Sequence, residues 1–354
     1  MRILVTGHLG YIGTALTPML LSEGYDVVGL DSDLYRRCTF GQGIVEVPTI
    51  SKDIRDVELE DVKGFEAILH LAGLSNDPLG NLDPGLTYEI NYLASVRLAA
   101  LAREAGVERF VFSSSCSNYG AAGEAVLDED SAFNPVTPYG ESKVLVEREV
   151  SKMADDRFSP IFLRNSTAYG VSPRLRFDLV LNNLVAWAFT TGQVMLKSDG
   201  SAWRPIVHIE DISRAFLAVL RAPRELVHNR AFNVGATAEN YRIRDLARIV
   251  AETVPNCKVT FAQGASADTR CYRVNCDRIV ATLKTFAPQW TARLGAQQLY
   301  KAYKEIGLTL EEFEGCRYQR IGHVKMLLDR GILDSSLRFR KPVEASSRAT
   351  AAAE

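Results

Sequence analysis

Short β-branched and aliphatic runs alternate with stretches of helical period through the first half of the chain. Arg2–Val5, Asp26–Leu30, Ala67–Leu71 and Phe110–Ser114 are apolar through most of their length, which is the pattern of parallel strands buried on both faces. Between the first two, Ile12, Ala15, Leu16, Met19 and Leu20 recur at helical spacing, and Gly24 stands where a helix C-cap belongs. Asn91–Ala105 and Tyr139–Met153 carry similar patterns. Such a β-α-β-α series predicts an α/β fold built on a doubly wound parallel sheet. The second half is less regular: Ile161–Leu163, Ile206–Ile209 and Ala231–Val234 read as further strands, with helices around Leu179–Thr190 and Ile212–Leu220. We expect residues 1–167 to form the sheet domain, with strands returning to it from about 206–235. Residues 168–340 are expected to form mainly a smaller, discontinuous lobe, and 341–354, small and polar, a disordered tail.

Composition narrows the classes. The 354 residues, 47% hydrophobic and 24% charged, can bury one large domain, or a large and a small one sharing a core. A net charge of −2 gives no long-range pull toward nucleic acid or an anionic membrane, so neither is expected as a partner. No stretch approaches the ~20 apolar residues of a membrane span, and Met1–Gly10 reads as a strand entering a turn rather than a signal peptide. The six cysteines are scattered without a C-x-x-C pair, so no disulfide framework or zinc site is expected and a reducing cytoplasm fits. Five histidines, none in H-E-x-x-H spacing, give no expectation of a metal.

Thr6-Gly7-His8-Leu9-Gly10-Tyr11-Ile12-Gly13 lies between the first strand and the first helix. Its glycines meet three demands: a tight turn, backbone close to a pyrophosphate, and room for helix against strand. The helix N-terminus then faces phosphate charge. Glycine-rich turns are common for duller reasons, but this position between strand and helix marks a dinucleotide site. The second strand ends in Asp31, roughly 20 residues on, where a carboxylate accepts hydrogen bonds from a ribose. It would also repel a 2′-phosphate, favouring NAD over NADP; Asp33 reinforces it, while Arg36 and Arg37 argue the other way.

Tyr139 and Lys143 stand four apart, adjacent on one helical face. A cation near a phenol favours phenolate and would pull the pKa from ~10 toward neutrality, making the tyrosine a base for a carbinol proton while hydride leaves the same carbon. Y-x-x-x-K alone is usually surface decoration. Here it follows the glycine motif and a strand ending in Ser113, Ser114 and Ser115, at the carboxyl edge where such sheets place ligands.

With these residues in view, the chain resembles the extended short-chain dehydrogenase/reductase family, in its nucleotide-sugar epimerase and dehydratase branch. The resemblance extends to about Arg340. It rests on the glycine motif, Asp53-Ile54, Leu71-Ala72-Gly73, Asn91, the serine-rich strand and the Tyr139–Lys143 pair, and further on Arg204-Pro205-Ile206-Val207-His208, Phe232-Asn233-Val234-Gly235 and Asp268-Thr269-Arg270. It implies a Rossmann domain and a substrate-binding lobe. It implies NAD held by Gly7, Gly10, Tyr11, Ile12, Gly13 and Asp31, by Asp53 and Ile54 at the adenine, by Leu71, Ala72 and Gly73 at its middle, and by Asn91, Tyr139 and Lys143. Ser115 would bond the reacting hydroxyl and Tyr139 would be the base. Arg204 and Arg270 would grip the diphosphate of a nucleotide sugar, guanidinium forks being suited to it, with Ser117, Thr167 and Asn183 on the same ligand. Homodimers that pair through two helices, here Asn91–Ala105 and Tyr139–Met153, are the family's usual assembly.

Departures from the family choose among reactions. The 4,6-dehydratases carry an Asp-Glu pair where Cys116 and Ser117 stand, and sugar-acid decarboxylases keep a glutamate at the second position. The 3,5-epimerases place a cysteine at the position of Ser117; Cys116 is one position early and reads as a small buried filler. Serine, tyrosine, lysine and NAD suffice for C4 epimerisation through a 4-keto sugar. The alternatives are a one-way keto-sugar nucleotide dehydrogenase or reductase, and a catalytically silent NAD-binding sensor, whose relatives usually lose the tyrosine or lysine. The second-strand carboxylate is directly testable: in a binding titration NAD is expected to bind far better than NADP, and a neutral residue in place of Asp31 to narrow the gap. A wild-type preference for NADP would refute the assignment.

Overall fold

The structure, a computed structural model, describes residues 1–41, 43–75, 77–266 and 271–340; the expected tail 341–354 lies outside the described residues. Among these, strands β1 (Arg2–Thr6), β2 (Asp26–Asp31), β3 (Thr49–Ser51), β4 (Ala67–His70), β5 (Arg109–Ser115), β6 (Ser159–Asn165) and β7 (Arg230–Val234) form one sheet. Its order is β7-β6-β5-β4-β1-β2-β3, and every pairing is parallel. Helices α1 (Gly13–Ser22), α2 (Ala94–Glu104), α3 (Pro138–Ser151), α4 (Val180–Thr191) and α5 (Ile209–Arg221) follow in chain order.

Successive strand residues point to opposite faces, so nearly continuous apolar strands feed two cores. Leu4, Ile68, Phe110 and Phe112 meet Leu98 and Ala102 of α2 and Val146 and Val150 of α3. Ile3, Val5, Leu69 and Val111 meet Leu16 and Leu20 of α1 and Phe216 and Leu220 of α5. The doubly wound reading therefore holds. The helix expected from Asn91 opens with a π-helical turn, Tyr88–Leu93, before α2.

A third core gathers α4, α6 (Ile243–Thr253) and α7 (Ala292–Ile306) through Leu184, Val185, Leu246, Val250, Leu299 and Tyr303. The apolar run at Ile206–Ile209 departs from expectation. Strand Trp203–His208 joins Thr167–Tyr169 and, antiparallel, Asn240–Arg242 in a separate three-stranded sheet; only Arg230–Val234 of the 206–235 region returns to the large sheet. An apolar run reports burial and not which sheet receives it. The C-terminal segment departs too. After α7 the chain crosses back, and Val324 and Leu327 of α8 (Arg320–Asp329), with Leu333 and Leu337, enter the core of the large sheet. Among the described residues no helix is long and apolar enough to cross a membrane.

The turn after β1 is set by backbone proximity. Gly7 has φ +74°, and a Cβ there would lie 2.7 Å from the Ala72 nitrogen, while one on Gly13 would lie 2.4 Å from the Gly7 carbonyl oxygen. Both neighbours are backbone and cannot swing away. Gly13→Ala is therefore expected to lower stability by about 1–3 kcal/mol, as overpacking does, read as the shift in the urea midpoint; an unchanged midpoint would show that the turn can open.

Candidate active site

Strands β1 and β4 are neighbours whose outgoing connections pass to opposite faces of the sheet, opening a crevice at their carboxyl ends. Gly7, Gly10, Tyr11, Ile12 and Gly13 line one wall, Leu71, Ala72 and Gly73 the other, and Asp31, Asp53 and Ile54 the far end. Asp31 accepts from the Leu9 amide at 3.0 Å and the Asp33 amide at 2.8 Å, and burial pushes its carboxyl upward in pKa. Asp33, at φ +50°, pairs with Arg174 at 2.8 Å. Asp53 caps the turn Ile54–Asp56 and binds Arg55 at 2.7 Å; burial alone would raise its pKa, but the Arg55 hydrogen bonds outweigh it. Arg36 and Arg37, the counter-evidence on cofactor choice, are exposed, and the Arg36 guanidinium lies 4.9 Å over Phe339, away from the crevice. A glycine turn too tightly packed for side chains, opening into the α1 N-terminus and facing the Asp31 carboxylate across the crevice, fits NAD.

Asn91 does not line this crevice. It is buried, its Nδ2 donates to the Leu74 carbonyl at 2.9 Å and its Oδ1 accepts from the Leu74 amide at 2.7 Å. The expectation of a cofactor contact gives way to a support beneath the 71–75 loop.

Helix α3 builds the other half. Thr137 caps it by accepting from the Gly140 amide at 3.2 Å, and Pro138 occupies the first position. Tyr139 thus falls in the first turn, facing the cleft, with Lys143 one turn on. The phenol and the Ser115 hydroxyl line the same cleft, and Ser115 acts to lower the phenol pKa. The Lys143 ammonium donates to the Ser113 carbonyl at 2.8 Å and lies 5.8 Å from the Tyr139 ring centroid. Burial raises the Tyr139 pKa, against the lowering effects of Ser115 and the Arg176 charge. Without cofactor the phenol is therefore not drawn toward neutrality as the sequence suggested, because desolvation outweighs the effects of Ser115 and Arg176. Burial also lowers Lys143 to about 8, with Glu147 opposing.

Sequence reading missed the support under this pair. Glu147, one further turn along the same face, receives Arg164 at 2.7 Å, Asn118 at 3.0 Å and the Ser114 hydroxyl at 2.5 Å. The i, i+4 spacing was the available signal. Cys116 lies beneath, its thiol on the Arg164 carbonyl at 3.1 Å and pushed by burial up to about 12.

Ser115, Ser117, Thr167 and Arg204 line the continuation of the cleft, with Arg176 and Tyr272, which sequence reading did not single out. Asn183 does not reach it: its amide donates to the Phe177 carbonyl at 2.8 Å, and it is the adjacent Asn182 that is buried against Gly170 and Tyr11. Arg270, with Asp268 and Thr269, lies outside the described residues. The carboxylates lining this half are engaged, Asp77 with Thr137 at 2.8 Å and Asp178 with Arg176 at 2.6 Å.

Residues 3–235 match the model of the NAD dependent epimerase/dehydratase family, and the chain belongs to that family. A UDP-glucose 4-epimerase of Neisseria meningitidis serogroup C is 30% identical over 270 residues, 66% of this chain and 77% of the relative. Among solved structures, MoeE5 in complex with UDP-glucuronic acid and NAD superposes with a TM-score of 0.75 at 25% identity, over 86% of this chain and 99% of that one. The UDP-glucose 4-epimerase of Thermus thermophilus in complex with NAD shares the fold, with a TM-score of 0.70 at 23% identity over 86% and 99%.

The buried ammonium has a measurable signature. Between pH 8 and 10.5 the unfolded chain holds a Lys143 proton that the folded, cofactor-free protein lacks, so the Lys143 contribution to stability rises with pH across that window. Urea unfolding of wild type and Lys143→Met at pH 7.5 and pH 10 should show the wild type gaining relative to the variant; a constant difference would mean that Lys143 titrates at its ordinary value.

Proposed function

We propose that this chain is an NAD-dependent nucleotide-sugar epimerase that inverts C4 through a 4-keto intermediate. The observation that carries the reading is the Tyr139 phenol, in one cleft with Ser115 and one helical turn from Lys143, with Cys116 and Ser117 in place of a carboxylate pair. The curated relatives named UDP-glucose 4-epimerases support the substrate class.

We assign residues 1–167, with 230–234, to the cofactor and most of 168–340 to the sugar nucleotide. NAD supplies an acceptor that takes a hydride from the sugar carbon and can return it. Lys143 is assigned to its nicotinamide ribose, and Arg204 to the diphosphate of the sugar nucleotide. Tyr139 takes the C4 hydroxyl proton while Ser115 keeps a hydrogen bond to the same oxygen, and Tyr139 returns the proton once the keto sugar has presented its other face. Turning needs room, and the sugar side encloses about 320 Å³, at the lower end of the roughly 300–1,000 Å³ usual for ligand pockets. A homodimer formed through α2 and α3, with Leu93 exposed at the start of α2, is part of the proposal. A reducing compartment such as the cytoplasm suits its six unpaired thiols.

Tyr139→Phe should cost roughly 10² to 10⁴ in turnover, the usual loss of a general base, with NAD content of the purified protein unchanged. The reaction itself is tested with a sugar nucleotide deuterated at C4. The label is expected to stay in the inverted product with no net change in nicotinamide absorbance. An absorbance change matched mole for mole by sugar converted would make the enzyme a one-way oxidoreductase instead.

A further inference from the structure

The crossing of the C-terminal segment to the large sheet closes one side of the cofactor crevice. His323 donates to the Leu34 carbonyl at 3.2 Å, Arg317 to the Thr39 carbonyl at 3.1 Å, and Arg338 to Asp56 at 3.0 Å. These contacts hold the chain that follows β2 and the turn that follows β3. Leu337 and Arg320 line the crevice itself, opposite the glycine turn.

Arg320 is the feature this packing leaves unexplained. It is 3% exposed, its guanidinium is stacked 3.5 Å over Tyr35, and its Nη2 donates to the Arg174 carbonyl at 3.2 Å. Its Nε and Nη1 are buried without a hydrogen-bond partner. Among the described residues its two arginine neighbours are paired, Arg174 with Asp33 and Arg176 with Asp178, whereas Arg320 makes no ion pair. Asp31, which also lines the crevice, is engaged by the amides of Leu9 and Asp33. A guanidinium keeps its proton in a protein, so desolvation must be offset by an anion or by hydrogen bonds. Only one of its nitrogens has such a bond here. Burial lowers the Arg320 pKa and the Arg176 charge lowers it further, while Tyr35 and Asp178 oppose the shift.

We infer that Arg320 is the cation of the cofactor crevice that the diphosphate of the bound dinucleotide neutralises, and that the C-terminal segment is the wall that delivers it. The inference rests on the NAD-dependent reading of the site. The glycine turn presents backbone amides and the α1 N-terminus to the same anion, and Arg320 adds a full charge from the opposite side. Stacking on Tyr35 fixes the guanidinium plane, so little side-chain freedom remains to be lost on binding.

The test uses full-length protein freed of bound nucleotide and titrated with NADH, followed by the fluorescence of the bound dihydronicotinamide, and then with ADP and adenosine as competitors. Arg320→Met should weaken NADH and ADP about 10- to 100-fold, the range for losing charge-assisted hydrogen bonds, and leave adenosine within about twofold. Arg320→Lys, which keeps the charge but not the planar donor set, should recover part of the loss. Unchanged NADH and ADP binding in Arg320→Met would overturn the assignment, and so would an equal loss for adenosine, since that would make Arg320 a support of the wall and not a ligand. If wild type itself bound no NADH while binding adenosine, the NAD-dependent reading would fall and take this inference with it.

Discussion

A cation taken out of water must be given an anion or a set of oxygens, and this constraint organises the crevice. Arg164 is met by Glu147, Arg174 by Asp33, Arg176 by Asp178 and Arg55 by Asp53. Each pair ties down segments that border the site: β6 to α3, the 172–178 stretch to the end of β2, and the turn after β3 to itself. Lys143 differs, with a backbone carbonyl and two aromatic faces in place of a carboxylate. It is a buried cation that no salt bridge neutralises.

The same logic explains how the tyrosine is positioned. Thr137 and Pro138 fix where α3 begins, and the helical repeat then stacks Tyr139, Lys143 and Glu147 on one face. Glu147 locks that face to β5 through Ser114, to the turn that follows β5 through Asn118, and to β6 through Arg164. The strand in turn fixes the register of Ser115, which shares the cleft with the phenol. One helix and one strand therefore define the catalytic geometry, and the buried carboxylate between them sets their relative rotation.

What could be read from the sequence follows from this architecture. Local signals carried the helices and strands of the first half, because apolar period and glycine turns are properties of neighbouring residues. They also carried Tyr139, Lys143, Ser115 and Asp31, since each sits at a strand end or in a helical repeat. Most of the misplacements are long-range, Asn183, bonded to a carbonyl six residues back, being the local one. Ile206–Val207 was recognised as buried but assigned to the wrong sheet, Asn91 and Asn183 turned out to hold backbone carbonyls, and Arg320 meets Tyr35 across nearly the whole chain. Periodicity has no means of announcing such partners. The lowered phenol pKa argued from Lys143 failed for a related reason: spacing shows the cation, but desolvation is known only once the surroundings are in place.

The position after Ser115 bears on which chemistry this scaffold can run. Ser115 and Ser117 face the cleft while Cys116 turns beneath β5 toward Arg164, so the residue able to add a second proton-transferring group there is Ser117. It offers a hydroxyl where a carboxylate would be needed, and that hydroxyl hydrogen-bonds with Ser115 at 3.1 Å. An elimination needs both a base and an acid beyond the tyrosine, and the carboxylates lining this half, Asp77 and Asp178, already serve Thr137 and Arg176. What this set of residues supports is removal and return of one proton at one oxygen. A reaction that restores its hydride at each turnover has no use for cofactor exchange, and the C-terminal segment, held at Leu34, Thr39 and Asp56, adds a fixed wall on one side of the crevice.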